Sequence, residues 1–549
     1  MVIMKILIIL FRFDNGDSPY DPHSIKGVDG YMLPIGLAYI SAVLKNAGKD
    51  ITILNLNNRD GLIQDILQRE LQAINYDVVF LGGLSMYYPH IRDIIKYIRY
   101  YSIKTKIVVG GGIITAQPEI MFNLLQPDYG VIGEGEQTCL DLVTYLEYGG
   151  YLPEIPGLIF SDSFGAITIT EPRDPIMDLD ALPYPDYDTF GYSEYLKGIK
   201  QTDMNGLFDV VDNPRPYPLL ASRSCLYNCT FCFHPLGQKY RQRSIDNIMQ
   251  EIKIAVEKYH VNIIIFYDEM FSNNKERLLE FCIKFKKYSD TLSKKIWFQC
   301  QNRVDTTTDE MLKVMKAAGA YLLSYGLESY SPKVLASMKK HITPEQILTT
   351  ARLTRDNKLG FQGNFIFGDP AETCETAKET LDFVKENRQL LGSSIGMFFI
   401  IPFQGTPIYK HCVRTGLIPD ELEFIRDRDE GWFKYLEPIN MTTLSEKEFS
   451  QLKDSVFELH LISDTYTTIK GMWYNSPGDT YTIIKCPSCN AEFGMKNLPE
   501  PKGFSVQNIG CRYCHYRFHL VSRWYPLKRF IIKTLGFRRV YWLNKVMKG

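Results

Sequence analysis

Two stretches of the chain, residues 3–147 and 219–403, alternate short apolar runs with segments of helical period. This alternation leaves few folds open. A strand that returns parallel to its predecessor needs a crossover, usually helical, and such crossovers are right-handed. In the first stretch, apolar runs at 3–11, 51–56, 77–81, 106–109 and 129–132 each precede a helical segment, the first running from Pro34 to Gly48. Proline near the start and glycine at the end suit a helix. Five such units predict an open, doubly wound parallel sheet of the Rossmann-like α/β class. In the second stretch, strands near 219–223, 262–267, 296–300, 321–326, 361–367 and 396–401, with helices between, predict a partial (βα)6 barrel of the TIM type.

Composition narrows the class further. With 549 residues, 45% hydrophobic and 23% charged, the chain is long enough for several packed domains and is neither disordered nor fibrous. A net charge of −1 argues against a surface devoted to polyanions, so nucleic acid is not expected as the partner. No apolar run reaches the ~18–20 residues of a membrane helix, and MVIMKILIILFRFD reads as a first strand rather than a signal peptide. Of 12 cysteines, seven fall in two clusters. In a long chain that reads as signal-less this pattern favours metal or redox ligands in a reducing compartment, the cytoplasm.

The first cluster, Cys225-Leu-Tyr-Asn-Cys229-Thr-Phe-Cys232, follows the apolar strand at 219–222 directly. Three thiolates on one short loop suit three irons of a 4Fe–4S cube, and the absent fourth cysteine leaves one iron open to a small chelating ligand. Zinc would call for a closed set of four, with only His234 nearby. Small residues mark the strand ends of the first stretch: Gly82, Gly83 and Ser85; Gly110, Gly111 and Gly112; Gly133, Glu134, Gly135 and Glu136. Open parallel sheets bind ligands at these ends, and glycine admits close backbone approach, although such turns use glycine in any case. There is no G-x-G-x-x-G after the first strand, which speaks against a dinucleotide.

The C-x3-C-x2-C spacing, with Phe231 before the last cysteine, closely resembles the signature of the radical SAM family. The stretch Pro34-Ile35-Gly36-Leu37-Ala38-Tyr39, together with Leu84-Ser85, Gly110–Gly112 and Gly133–Glu136, resembles the cobalamin-binding domain that precedes many of its members. The resemblance implies that the open iron binds S-adenosylmethionine (SAM) and that an electron cleaves it to a 5′-deoxyadenosyl radical. It implies SAM contacts by Asp268 or Glu269, by Glu328 and Ser329, by Gly368 and by Pro402. It further implies methylation of an unactivated carbon or a phosphorus through methylcobalamin, a small-molecule or anionic substrate, and a reductase electron donor such as flavodoxin or ferredoxin. Radical oxidation, cyclisation or rearrangement without methyl transfer is the alternative, and a non-enzymatic cobalamin or nucleic-acid binding protein a more distant one. Many cobalamin domains carry Asp-x-His-x-x-Gly with a cobalt-ligating histidine. Here Asp21-Pro-His23-Ser-Ile-Lys-Gly27 is one residue too long, so His23 is read as a solvated loop residue.

The second cluster pairs Cys486-Pro-Ser-Cys489 with Cys511-Arg-Tyr-Cys514, two C-x2-C knuckles of zinc-ribbon spacing. Four thiolates close a tetrahedron, so the zinc expected is structural. Such a module has a role open between substrate and partner recognition. The final segment is rich in Lys, Arg and aromatic residues. It suits an anionic membrane surface contacted peripherally, or else a basic helix packed on the body. The expected domains are 1–148, cobalamin binding; 149–216, a proline-rich linker containing a small hairpin; 217–430, the barrel; 431–480, a helical extension; 481–522, the ribbon; and 523–549, the basic aromatic tail.

Overall fold

A computed structural model describes residues 4–13, 23, 31–200, 207–427, 438–461, 465–476, 479–498, 501 and 506–535. The chain divides into two compact units, each discontinuous in sequence: 1–199 with 222–247 and 401–439, and 200–221 with 248–400 and 440–549.

The first unit is built on β1 (Lys5–Leu10), β2 (Asp50–Asn55), β3 (Val78–Gly82), β4 (Lys106–Gly110), β5 (Tyr129–Val131), β6 (Leu158–Ser161) and β7 (Ile167–Ile169). Their order is β2-β1-β3-β4-β5-β6-β7. The first five are parallel, as the strand–helix alternation requires. The hairpin β6–β7, read from sequence as part of the linker, instead joins β5 antiparallel and completes a mixed seven-stranded sheet. Short strands joined by a turn need no crossover helix, which is why the parallel pattern stops there. Helices cover both faces. Leu7, Ile9, Val79, Leu81, Ile107 and Val109 form one core with Ile66, Ile91, Ile94, Ile98 and Phe122. The helices Ile35–Asn46 and Gly135–Tyr148 pack on each other, with Ile40 against Gly135.

The chain passes into the second unit for β8 (Pro216–Leu219) and returns to the first for a two-stranded antiparallel ribbon, β9 (Ser222–Arg223) and β10 (Arg241–Gln242). In the second unit, β11 (Ile263–Phe266), β12 (Trp297–Asn302), β13 (Ala320–Glu328), β14 (Gly360–Phe367) and β15 (Ile395–Phe399) follow β8. All six are parallel and neighbour each other in chain order, an open (βα)6 sheet.

Side chains on these strands alternate between two faces. Phe298 meets Phe281 and Phe285 of the helix Lys275–Ser289 at ring distances of 5.4 and 5.2 Å. Tyr325 lies 3.0 Å from Thr354, and the Tyr217 hydroxyl donates to Glu251 at 2.8 Å. The opposite face, turned from the helices, carries Ile265, Gln299, Gln301, Ser324, Gly326, Gln362, Asn364, Ile366, Gly396 and Phe398 in lateral register.

Helix Glu446–Leu461 lies where a helical extension was expected, but β16 (Tyr466–Thr467) and β17 (Ile469–Ser476) follow it. With β18 (Asp479–Lys485), β19 (Glu492–Lys496), β20 (Val506–Gly510) and β21 (Arg517–Val521) they form two three-stranded sheets, β17-β18-β19 and β16-β21-β20. These two sheets carry the C-x2-C knuckles. The tail begins as helix Tyr525–Leu535, and residues 536–549 lie outside those described.

Candidate functional site

The three-cysteine loop occupies the 17 residues between the ribbon strands and belongs to the same unit as the N-terminal sheet. Cys229 is buried, and Cys225 and Cys232 are half-buried. Three free cysteines on one partly buried loop can each serve one iron of a cube and leave the fourth iron to another ligand, so the donor set fits a cluster. Several contacts hold it. The Ile408 amide, in helix Pro407–Arg414, donates to the Thr230 carbonyl at 3.0 Å. The ring of Phe233, next to Cys232, lies over Gly112 and Gly405 so closely that a Cβ at either would fall 3.1 or 2.5 Å from it. Those glycines leave room for the protein's own ring.

Gly111 has φ +84°, and a Cβ there would meet the Gly83 carbonyl oxygen at 2.9 Å. Only glycine fits that close crossing of the β3 and β4 turns. Gly82, Gly83 and Gly110 make ordinary or slightly tight contacts, while Gly133 faces open space at φ +78°. Ser85 opens a single 3-10 turn after Leu84, whose side chain is exposed. Of these strand-end glycines, Gly133 leaves bare backbone at the C-terminal ends of the strands, where an open parallel sheet binds its ligand. His23 is exposed, and its loop neighbours lie outside the described residues.

Glu134 and Glu136 take a different place from the ligand-lining one expected. Both are buried. Glu134 Oε1 accepts from Arg223 Nη1 at 3.1 Å and Arg241 Nη1 at 2.7 Å, and its Oε2 accepts from the Ile176 amide at 2.7 Å. Glu136 pairs with Arg223 Nη2. Burial works against the charge on Arg223, but Glu136 and Glu134 outweigh it and raise its pKa. Arg223 also lies 5.2 Å over the Tyr39 ring. Side chains engaged in this way leave only the backbone of this turn to face a ligand.

In the second unit, the acids after β11 separate. Asp268 is buried and accepts the Ala221 amide at 3.1 Å, whereas Glu269 is exposed. Glu328, at φ +60°, pairs with Lys340 at 2.7 Å. Ser329 Oγ lies 3.1 Å from Thr380 Oγ1 and accepts the Ser331 amide. The Gly368 amide, at φ +97°, donates to Glu372 Oε2. Burial, with Asp369 adding, pushes the Glu372 carboxyl up to about 8 against that hydrogen bond, and its Oε1 has no partner. Pro402, in the first unit, is buried.

The Sγ atoms of Cys486, Cys489, Cys511 and Cys514 lie within 4.8 Å of one another, with Cys486–Cys514 and Cys489–Cys511 at 3.7 Å. Zinc–thiolate bonds near 2.3 Å in a tetrahedron place sulfurs about 3.8 Å apart, so the donors fit. The Ser488 and Tyr513 amides donate to Cys486 and Cys511, orienting the thiolates. His515 is turned toward Lys316 instead, 3.1 Å away. The module packs where barrel strands begin. The Ser393 amide donates to the Arg517 carbonyl at 3.0 Å, a Cβ on Gly360 would meet the His515 carbonyl oxygen, and Arg517 forms a buried pair with Asp209 at 2.7 Å. The N-terminal ends of barrel strands serve stability, and chemistry sits at the other end. The ribbon is therefore a base of the barrel.

Fold and site together define an iron–sulfur enzyme on an open parallel barrel, with a second, sheet-borne cofactor domain. The sequence profile of the Radical SAM superfamily matches residues 219–384, and that of the B12 binding domain matches residues 25–143. The chain thus carries a radical SAM domain preceded by a B12-binding domain. Its cofactors are a 4Fe–4S cluster, SAM and cobalamin. An uncharacterized methyltransferase of Pyrococcus horikoshii is 28% identical over 428 residues, spanning 76% of this chain and 85% of that protein. The cytidylyl-2-hydroxyethylphosphonate methyltransferase of Streptomyces wedmorensis is 23% identical over 452 residues, 72% and 80% of the two chains. The structure of the radical SAM methyltransferase TsrM from Kitasatospora setae superimposes with a TM-score of 0.59 at 18% identity, covering 75% of this chain and 76% of that one.

Sequence reasoning missed Arg223 and Phe233, and it assigned no role to Arg241, which lies in a stretch (240–244) that matches the family. The arginines bracket the cysteine loop and the phenylalanine follows it, but nothing local marks their partners. No helix among the described residues is long and apolar enough to cross a membrane.

Proposed function

We propose that the protein transfers a methyl group from SAM to an unactivated carbon or a phosphorus of a small molecule. The cysteine loop and the glycine-lined sheet ends in one compact unit carry this reading, and relatives named as methyltransferases along most of their length support it. When bound, the cluster supplies the electron that cleaves SAM and cobalamin carries the methyl group. Cys225, Cys229 and Cys232 hold three irons, and Phe231 shields them. Gly133 lets the backbone at the end of β5 lie against the corrin, while Gly111 and Gly112 make room for the Gly83 carbonyl and the Phe233 ring. The exposed Glu269 receives the SAM amino group, while Asp268 fixes the turn after β8 through Ala221. The inner strand face selects the substrate. Gln301, Ser324, Gln362 and Asn364 stand in neighbouring registers, flanked by Ile366 and Phe398. These strand residues bear no charge, so the part of the substrate that reaches them is neutral and hydrogen-bonding, with an apolar side. A cytoplasmic reductase of the flavodoxin or ferredoxin kind supplies the electron.

The test follows a trideuteromethyl label. Anaerobic protein loaded with cobalamin is reduced with SAM carrying CD3, and cobalamin is extracted for mass spectrometry. Label in cobalamin supports methyl transfer. Release of 5′-deoxyadenosine with unlabelled cobalamin favours the chemistry of a second kind of relative, the anaerobic magnesium-protoporphyrin IX monomethyl ester cyclase of Rubrivivax gelatinosus.

A further inference from the structure

Within the first unit, four buried charges join the turn after β5 to the two strands that bracket the cysteine loop. Side-chain exposure is 4% for Glu134, 7% for Glu136, 6% for Arg223 and 1% for Arg241. Two positive and two negative groups balance, and Tyr39 lies beneath Arg223. Buried charges persist only when paired and hydrogen-bonded, so this geometry is fixed rather than adaptable.

Arg241 does more than pair. Its Nη2 lies 3.4 Å from both Ser224 Oγ and the Leu236 carbonyl, and its Nε donates to the Lys239 carbonyl at 2.8 Å. Ser224 Oγ also donates to the Leu236 carbonyl at 3.1 Å. Ser224 immediately precedes Cys225, at φ +68°, and Leu236 lies four residues beyond Cys232. One guanidinium thus closes the base of the loop from both sides, and one oxygen of Glu134 holds that guanidinium together with Arg223 on the other strand. Glu134 stands between Gly133 and Gly135 in the turn that ends β5.

We propose that Glu134 is a positioning residue for the iron–sulfur loop, acting through Arg241 and Arg223. It sets the opening between Ser224 and Leu236, hence the placement of the three thiolates and of the iron left for SAM. The inference rests on the cluster and not on methyl transfer.

The test uses full-length protein, purified and reconstituted anaerobically with iron and sulfide, as wild type, Glu134→Gln, Arg241→Lys and Glu136→Gln. Iron and zinc per chain, the electron paramagnetic resonance (EPR) spectrum of the reduced cluster with and without SAM, and SAM affinity are measured. Glu134→Gln and Arg241→Lys should keep zinc, change the SAM-dependent EPR spectrum and weaken SAM binding about tenfold or more, as loss of a ligand's outer partner does. Loss of iron with zinc retained supports the same role. Glu136→Gln, which removes one arm of Arg223 only, should change less. Wild-type spectra and SAM affinity in both principal variants overturn the proposal. Should Glu134→Gln not fold, Arg241→Lys decides alone: it keeps the charge opposite Glu134 and loses the fork that reaches Ser224 and Leu236. A wild-type protein that takes up no iron overturns the cluster reading itself, a separate result.

Discussion

Glu372 is a carboxyl group folded into an almost waterless place, 1% exposed, with one oxygen on the Gly368 amide and the other without a partner. Its pKa rises from 4.5 to about 8 through burial, with Asp369 adding. Between those values the unfolded chain releases its proton and the folded chain retains it. Stability therefore falls as pH rises across that window. The melting temperature should drop between pH 5 and pH 8, and Glu372→Gln should flatten that slope; an unchanged slope in the variant would refute the assignment. Glycines can be ranked in the same way. Gly111→Ala forces a side chain onto φ +84° and into the Gly83 carbonyl, whereas Gly82→Ala makes ordinary contacts, with Leu37 at 3.4 Å and the Gly110 carbonyl oxygen at 3.5 Å. The first should weaken cobalamin binding and stability well beyond the second, with a backbone cost of ~1 kcal/mol or more. Absorbance titration with hydroxocobalamin and thermal melts check it.

At the scale of elements, the ribbon's attachment is the feature that motif spacing did not reveal. Four cysteines at ribbon spacing announce a metal site, but not which surface the module covers. That depends on Arg517 and Asp209, 308 residues apart. Removing one partner of a buried pair costs about 3–5 kcal/mol, because the other charge stays buried. Asp209→Asn and Arg517→Met should each destabilise by that order, and the double variant by less than their sum, in a denaturant-based double-mutant cycle. The same reasoning explains the Gly-Glu-Gly-Glu turn. Its position after β5 was legible from the apolar period and the glycines. The partners of Glu134 lie 89 and 107 residues on, so no local pattern told ligand contact from ion pair. Strands and helices were legible because parallel sheets and their covering helices write long apolar periods. The hairpin β6–β7 was visible as a hairpin, but its attachment to β5 depends on a pairing that sequence period does not encode.

At the scale of the whole molecule, zinc should act on the second unit's stability. Four thiolates hold two small sheets that meet the starts of the barrel strands, so the ion supplies folding energy there. Chelation should lower the calorimetric transition of that unit by roughly 5 °C or more while cobalamin absorbance in the other persists. A simultaneous loss of bound cobalamin would contradict that separation. The chain also crosses between units repeatedly. It leaves the first for β8, returns for the cysteine loop, departs again for the rest of the barrel and comes back at Ile401. The two units are thus stitched rather than strung. A genetic cut at 216, where a domain map would draw the border, would separate Arg223 and Arg241 from Glu134. Recombination could not trade one half between relatives as an interchangeable cassette, so the sheet and the cysteine loop are constrained to evolve as a single heritable piece.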